Sequence, residues 1–308
     1  MPDTAIQNVA VVGANGNLGS VVLRTLLEAG SFTVTVVKRA SSTSSSPSTA
    51  KTATVDDGLS TASLTAALQG QDAVVVCFPL KDVSQHLRIC DAAVAAGVRR
   101  LIPADYGSCD SSSPRAQELV PLFKNKTAVR ERLQDLSRAH AGFSWTSIVC
   151  GHFFDWGLRE DFLHFDLRAR RADFLDGGRY RSSTATLGRV AEAVVRVLRR
   201  LERTRDRVLF IQSFCVSQLD VLASLEKATG TPWQVKDWDS EEFIRCYKAK
   251  ADTGDKAAIE DLVFALGALD GNWETREGFA MELLGLENED LDEVVKRVVD
   301  EELGPSGH

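Results

Sequence analysis

Apolar and polar positions divide the chain into alternating strands and helices. The run from Ala5 to Val12, ending Val9-Ala10-Val11-Val12, has the length and unbroken apolar character of a parallel strand buried on both faces. After a glycine turn, Val21, Val22, Leu26 and Leu27 recur at helical spacing. The pattern then predicts strands over Phe32 to Val37, Ala53 to Val55, Ala73 to Phe78, Arg100 to Pro103 and Phe143 to Val149. The helices between them run from Ser63 to Leu68, Val83 to Ala96 and Leu119 to Leu136, with Pro79 stopping one strand and Gly97 capping one helix. Such alternation specifies an α/β protein with a doubly wound parallel sheet. A helix from Gly188 to Arg200, a strand from Arg207 to Phe214 and a helix from Ser217 to Thr229 continue it, and beyond Gly230 the alternation stops. Aromatic residues from Trp233 to Phe279 are spread there over helical segments reaching Leu303, as in a smaller, mostly helical C-terminal lobe. The expected division is a nucleotide-binding domain over 1–155, with a return contribution from 184–217, and a substrate-binding lobe over 156–308.

Composition narrows the function classes. A chain of 308 residues with net charge −7 can bury a full core and fold alone, as monomer or homodimer. Its acidic balance argues against a nucleic-acid surface, which needs clustered cations. The six cysteines are scattered, with no Cys-x-x-Cys pair and no metal-ligand spacing, so they read as reduced thiols of a cytoplasmic protein without a metal site. The first strand begins within a few residues of the start, and no apolar run is long enough to span a bilayer, so no membrane association is expected.

The chemistry begins at Gly13-Ala14-Asn15-Gly16-Asn17-Leu18-Gly19. Glycines at G-x-x-G-x-x-G spacing between a strand and a helix let the backbone turn sharply and approach a pyrophosphate, while the helix N-terminus offers unpaired N–H groups. This is the phosphate cradle of a Rossmann-type domain. About twenty residues on, where an Asp or Glu would hold a free ribose 2′-hydroxyl, stand Lys38 and Arg39; two cations without an acid point to a 2′-phosphate, hence NADP(H). The Ser/Thr run from Ala40 to Thr49 reads as a surface loop, either plainly flexible or lending hydroxyls to that phosphate pocket. Ligands of such sheets lie at the carboxyl ends of strands, so Phe78-Pro79, Ala104-Asp105-Tyr106-Gly107 and Cys150-Gly151-His152 should face the cofactor.

On the helix from Leu119 to Leu136, residues Leu122, Val129, Leu133 and Leu136 form an apolar stripe, and Lys126 falls in its middle. Its neighbours Lys124, Arg130 and Glu131 are expected to project sideways or outward. An inward ammonium must be paired or lose proton affinity, which makes Lys126 either a proton donor or acceptor or a structural cation. His152 is a second candidate for proton transfer, or a packing residue. The aromatic stretch Phe153, Phe154 and Trp156 reads equally as a wall for a flat substrate or as packing between lobes.

Together, the glycine loop, Lys38-Arg39, the segment Ile102 to Gly107 and the segment Leu122 to Arg130 resemble the NmrA-like branch of the atypical short-chain dehydrogenases, most of all isoflavone reductase-like proteins. The resemblance covers Val9 to about Gly151 well and the remainder in outline. It implies an NADPH-dependent reductase of a small aromatic or secondary-metabolite substrate, with Lys126 in the family's catalytic lysine motif alongside Phe123, Val129 and Arg130. Leu122 stands where the tyrosine of a Tyr-x-x-x-Lys pair would be, so Tyr106 and His152 are the other candidates for proton chemistry. The Pro-Ser-Glu-Phe-Gly motif of plant reductases reads Pro103-Ala104-Asp105-Tyr106-Gly107 here, and their Asn-Cys-Phe reads Val149-Cys150-Gly151, so substrate identity does not transfer. The expected cofactor contacts are Gly13, Asn15, Gly16, Asn17, Leu18, Gly19, Lys38, Arg39, Phe78, Pro79, Lys126, Cys150 and Gly151. Two other activities suit the same residues, a redox-neutral isomerase or cyclase and a non-catalytic NADP(H) sensor that regulates a partner.

Overall fold

The computed structural model describes residues 5–304, so the outermost ends of both expected domains, 1–4 and 305–308, lie outside it. In chain order the first half gives β1 (Asn8–Val12), α1 (Asn17–Glu28), β2 (Thr33–Arg39), β3 (Lys51–Val55), α2 (Thr61–Leu68), β4 (Ala73–Val76), α3 (Val83–Ala95), β5 (Arg100–Ile102), α4 (Pro114–Leu119), α5 (Pro121–Ala139) and β6 (Ser144–Val149). The second half gives β7 (His152–Phe153), α6 (Phe154–Arg159), β8 (Phe165–Asp166), β9 (Arg171–Leu175), β10 (Arg181–Ala185), α7 (Leu187–Leu198), β11 (Arg207–Phe210), β12 (Phe214–Ser217), α8 (Gln218–Thr229), β13 (Gln234–Trp238), α9 (Ser240–Asp252), α10 (Lys256–Asp270), α11 (Met281–Leu284) and α12 (Leu291–Leu303).

The main sheet has seven parallel strands in the order β11-β6-β5-β4-β1-β2-β3. Successive side chains of a strand point to opposite faces, and β1 uses both. Val9 and Val11 pack with Val22 and Leu26 of α1 and Val190 and Val194 of α7, whereas Ala10 and Val12 pack with Leu64 of α2, Ile89 of α3 and Val129 and Leu133 of α5. The unbroken apolar run of β1 is therefore the signature of its central place. Residues 187–210 return to this body through α7, which packs on α1, and β11, which pairs with β6.

Three expectations needed revision. The helix predicted over Leu119 to Leu136 is two helices, because Pro121 has no N–H to donate and forces Val120 into an extended conformation (φ −133°). The strand predicted over Arg207 to Phe214 is broken: β11 stays in the main sheet, while β12 joins β10 and β7 in a separate three-stranded sheet. The helical C-terminal part also carries a third sheet, β13-β9-β8. Strands of two residues, such as β7 and β8, are too short to show a period of two, which is why the sequence pattern passes over them.

Candidate active site

A cleft of about 350 Å³ lies at the carboxyl ends of β1, β2 and β4, where a nucleotide is expected. Each glycine of the loop has a separate task. Gly13 turns with φ +88°, and a Cβ there would stand 2.8 Å from both Cβ and N of Phe78, so only glycine lets the loop meet the end of β4. Gly16 has nothing within 3.7 Å of a would-be Cβ and borders the cleft. It is also the N-cap of α1 without a side-chain cap, which leaves first-turn N–H groups available to an anion. Gly19 faces the loop itself: its Cβ would sit 2.0 Å from the carbonyl oxygen of Gly13, so only glycine lets the first turn of α1 close on the backbone that follows β1. Leu18 is likewise buried in the core, whereas Asn17 is exposed at the helix start.

At the end of β2 Lys38 is half-buried and Arg39 exposed, and both border the cleft. The serine loop is not free chain. Ser44 accepts from Lys38 Nζ through its carbonyl (3.1 Å) and from Asn15 Nδ2 through its hydroxyl (2.6 Å), and Ser41 donates through N and Oγ to Asp57 (3.1 and 2.6 Å). Sequence reasoning missed the apolar floor, made by Val55 and Leu59 beside Phe78 and Pro79. Leu59 has φ +52°, unusual for leucine, and the turn is clamped by Arg88, which donates to the carbonyls of Gly58 and Leu59 (2.9 Å each). The Asp-Asp-Gly-Leu turn after β3 was the available signal. Behind the floor, His86 lies 4.3 Å from the Phe78 ring; burial pushes its pKa down to about 4, so it is neutral.

Lys126 enters the protein as its place in the apolar stripe predicts, and is 7% exposed. Its Nζ donates to the carbonyls of Asp105 (3.2 Å) and Tyr106 (3.3 Å), and a Cβ on Gly107 would stand 3.1 Å from it. Burial holds its pKa below the ordinary lysine value, against the opposing pull of the nearby Asp105 carboxylate. Arg130 corrects the sequence reading: it points inward, not sideways, because the buried arc of α5 is wide enough to include Phe123 and Arg130 as well as the stripe. Its guanidinium is paired with Asp105 and, at 2.7 Å, with Asp110, and Asp110 is paired in turn with Arg276.

The other expected site residues are placed differently. The Tyr106 hydroxyl is buried beside the Cys77 thiol, and burial pushes the phenol well above its usual range, so it remains protonated and offers no base. His152 is packed beneath α10, with Nε2 3.3 Å from the Val263 carbonyl and its ring stacked on Phe264; burial holds its pKa at about 4. This geometry ties His152 to the second lobe rather than to the cleft. A Cβ on Gly151 (φ +71°) would come within 1.9 Å of the Ser183 carbonyl oxygen, so this glycine serves strand packing. Cys150 is fully buried, its thiol pushed up to about 12 by burial. Phe154 is a core residue against Phe214, while Phe153 and Trp156 are half-buried and Trp156 lies 5.4 Å from the Phe162 ring. Among the described residues no group of His, Cys, Asp and Glu could hold a metal ion, and no helix is long and apolar enough to cross a membrane.

Comparison with known proteins gives a consistent family. The model of the NmrA-like family matches residues 6–243. The oxidoreductase aprR of Aspergillus flavus is 34% identical over 295 residues, covering 94% of this chain and 98% of that protein. Among solved structures, an isoflavone reductase superposes with a TM-score of 0.77 at 17% identity over 95% of this chain and 99% of its own. An NADPH-dependent quinone oxidoreductase from Escherichia coli superposes with a TM-score of 0.68 at 21% identity, over 94% and 99%. At these identities the two structures establish a shared fold.

Proposed function

The chain belongs to the NmrA-like family, and from that premise we propose that it is an NADPH-dependent reductase of a small aromatic or secondary-metabolite substrate. The observation that carries this reading is Lys126, a buried amine that donates to two main-chain carbonyls, at the end of the same sheet that forms the nucleotide cleft. The names of the relatives, an oxidoreductase, an isoflavone reductase and a quinone oxidoreductase, support it.

The residues present suit the cofactor. The uncapped start of α1 and the open side of Gly16 fit a pyrophosphate, and Lys38 with Arg39 fit a 2′-phosphate. Bound there, NADPH supplies a hydride to an unsaturated or carbonyl carbon. Lys126 stabilises or protonates the oxygen that gains charge, directly or through a water, and its depressed proton affinity suits it to do so. Half-buried Phe153 and Trp156 remain candidates for the substrate wall. In this reading the body 1–155, with the returning 184–217, holds the nucleotide and the lobe 156–308 holds the substrate; the protein works in the cytoplasm, where its cysteines stay reduced.

The test is to mix protein and NADPH with a panel of aromatic ketones, enones, quinones and benzylic ethers and follow the nicotinamide absorbance. Consumption with at least one compound is expected. Substrate conversion without consumption would replace this reading by a redox-neutral enzyme, and tight NADPH binding with no conversion across the panel would favour a sensor.

A further inference from the structure

Lys126 feels the charge of the Asp105 carboxylate but rests on main-chain carbonyls. Asp105 contributes its carbonyl to the ammonium, while its carboxylate is taken by Arg130, one helical turn beyond Lys126 on α5. Both cations of this helix therefore grip one loop, Lys126 through the main chain of Asp105 and Tyr106 and Arg130 through the side chains of Asp105 and Asp110. All four charged side chains are buried, none more than 10% exposed. The far side of Asp110 is covered by Arg276, whose guanidinium lies over the rings of Phe210 and Trp273.

We propose that Arg130 is a positioning residue for Lys126: by occupying Asp105 it fixes the carbonyls on which the ammonium rests and keeps that carboxylate from becoming the lysine's own ion-pair partner. The proposal rests on the reading of Lys126 as the proton-active group. Two carboxylates and two cations inside a protein can pair in more than one way, and a lysine locked on Asp105 would hold its proton too tightly to give it up near neutral pH. The forked guanidinium makes the choice, since it reaches both Asp105 and Asp110 at once, which an ammonium cannot do in the same geometry. One oxygen of Asp105, Oδ1, has no hydrogen-bond partner, so an unpaired Asp105 would be a strong attractor for the nearest cation. The charged and titratable groups facing Lys126 are Asp105 and Cys109 from the loop, Cys150 after β6 and Arg130 from its own helix. Both thiols are pushed up to about 12 by burial and stay neutral, so beside burial itself the charges acting on Lys126 are those of Asp105 and Arg130.

The experiment titrates Lys126 by the ¹³Cε chemical shift of labelled lysine in the intact protein, assigned by its loss in Lys126→Ala, and so needs no substrate. In Arg130→Met the midpoint should rise by about one pH unit or more, because the Arg130 charge that lowers it is lost and Asp105 is released to the ammonium. In Arg130→Met/Asp105→Asn it should return to the parent value or below. A merely structural Arg130 would leave the double variant no better than the single one, and that result, or an unmoved midpoint in the single variant, overturns the proposal. Should Arg130→Met not fold, Asp105→Asn carries the test: Lys126 should then titrate lower than in the parent, and an unchanged midpoint would show that Arg130 cannot act through Asp105. Failure of the panel to consume NADPH would leave these midpoints as they are, so the two readings fail separately.

Discussion

The nucleotide cleft and the lysine site lie at the same end of one sheet and are built on opposite principles. In the cleft, the groups offered to a ligand are main-chain N–H groups and two cations at the end of β2, one half-buried and one exposed. At the lysine site, Lys126, Arg130, Asp105 and Asp110 are all buried and balance one another. A ligand that brings its own phosphates can be met by solvated charge, each contact adding its increment. An amine that must exchange a proton has to be withdrawn from water, and every charge withdrawn with it needs a partner. Loss of a cleft cation should therefore cost a graded amount, and loss of a buried group a large one.

The sharpest break in that comparison comes from the cleft's backbone, where Gly19 leaves no room for a side chain and Gly16 does. Gly19→Val should abolish measurable NADPH binding and lower the melting temperature, since its Cβ would fall 2.0 Å from the Gly13 carbonyl and the loop must move. Gly16→Ala, whose Cβ meets nothing within 3.7 Å, should melt like the parent and weaken binding only in part. Nucleotide titration and thermal melting of the two variants check this; normal binding by Gly19→Val would mean that the loop is only a turn.

Next in size is the lysine. Lys126→Ala should lower turnover by about 10² to 10⁴, the usual worth of a positioned acid or base, with little change in nicotinamide affinity. Lys126→Arg should also be slow, because a guanidinium keeps its proton and needs room for its planar fork. Single-turnover rates on a substrate found in the panel decide it. Parent-like rates in both variants would make Lys126 a structural cation.

The graded side is sharpened by Lys38 and Arg39. The parent should bind NADPH at least tenfold more tightly than NADH, and replacing both cations with alanine should erase most of that difference, each charge-assisted contact being worth about 1.5–3 kcal/mol. Equal affinities in the parent would remove the 2′-phosphate assignment.

What the sequence made legible follows the same division. Gly13, Gly16, Lys38 and Arg39 were readable because strand, turn and helix follow one another locally, and position along the chain is nearly position in space. Lys126 was readable because a polar residue in an apolar helical stripe violates the pattern around it. The partners of Arg130 were not, since Asp105 and Asp110 come from a loop 25 and 20 residues before it and Asp110 is held in turn by Arg276, 166 residues further along, and no periodicity links them. The packing of His152 and Phe154 was left open for the same reason. The small sheets and α10 that bury them are assembled from segments with too few residues each to show a pattern, so an aromatic cluster in the sequence could be pocket wall or core, and only packing distinguishes the two.

The smallest expected effect lies in the second lobe, where two histidines near Phe264 have opposite requirements. His152 is neutral by burial. His164 has φ +59°, and its Nε2 lies 3.0 Å from Asp261 while its Nδ1 faces Asp173. Burial alone would lower its pKa, but hydrogen bonds to Asp173 and Asp261 outweigh burial and raise it to about 9. A group whose folded pKa lies above its unfolded value of about 6.5 stabilises the fold fully below that value and loses its contribution as pH rises through 9. His152, depressed to about 4, does the reverse: its contribution is complete above about 6.5 and is lost as pH falls toward 4. The parent's melting temperature should therefore decline by a few degrees between pH 7 and 9. His164→Asn should flatten that decline, because asparagine tolerates the left-handed backbone and carries no titrating charge, although it melts lower than the parent at pH 6.5. An alkaline limb that persists unchanged in His164→Asn would show that the two aspartates do not hold a protonated His164, and that this lobe, unlike the lysine site, is joined by packing without a buried charge.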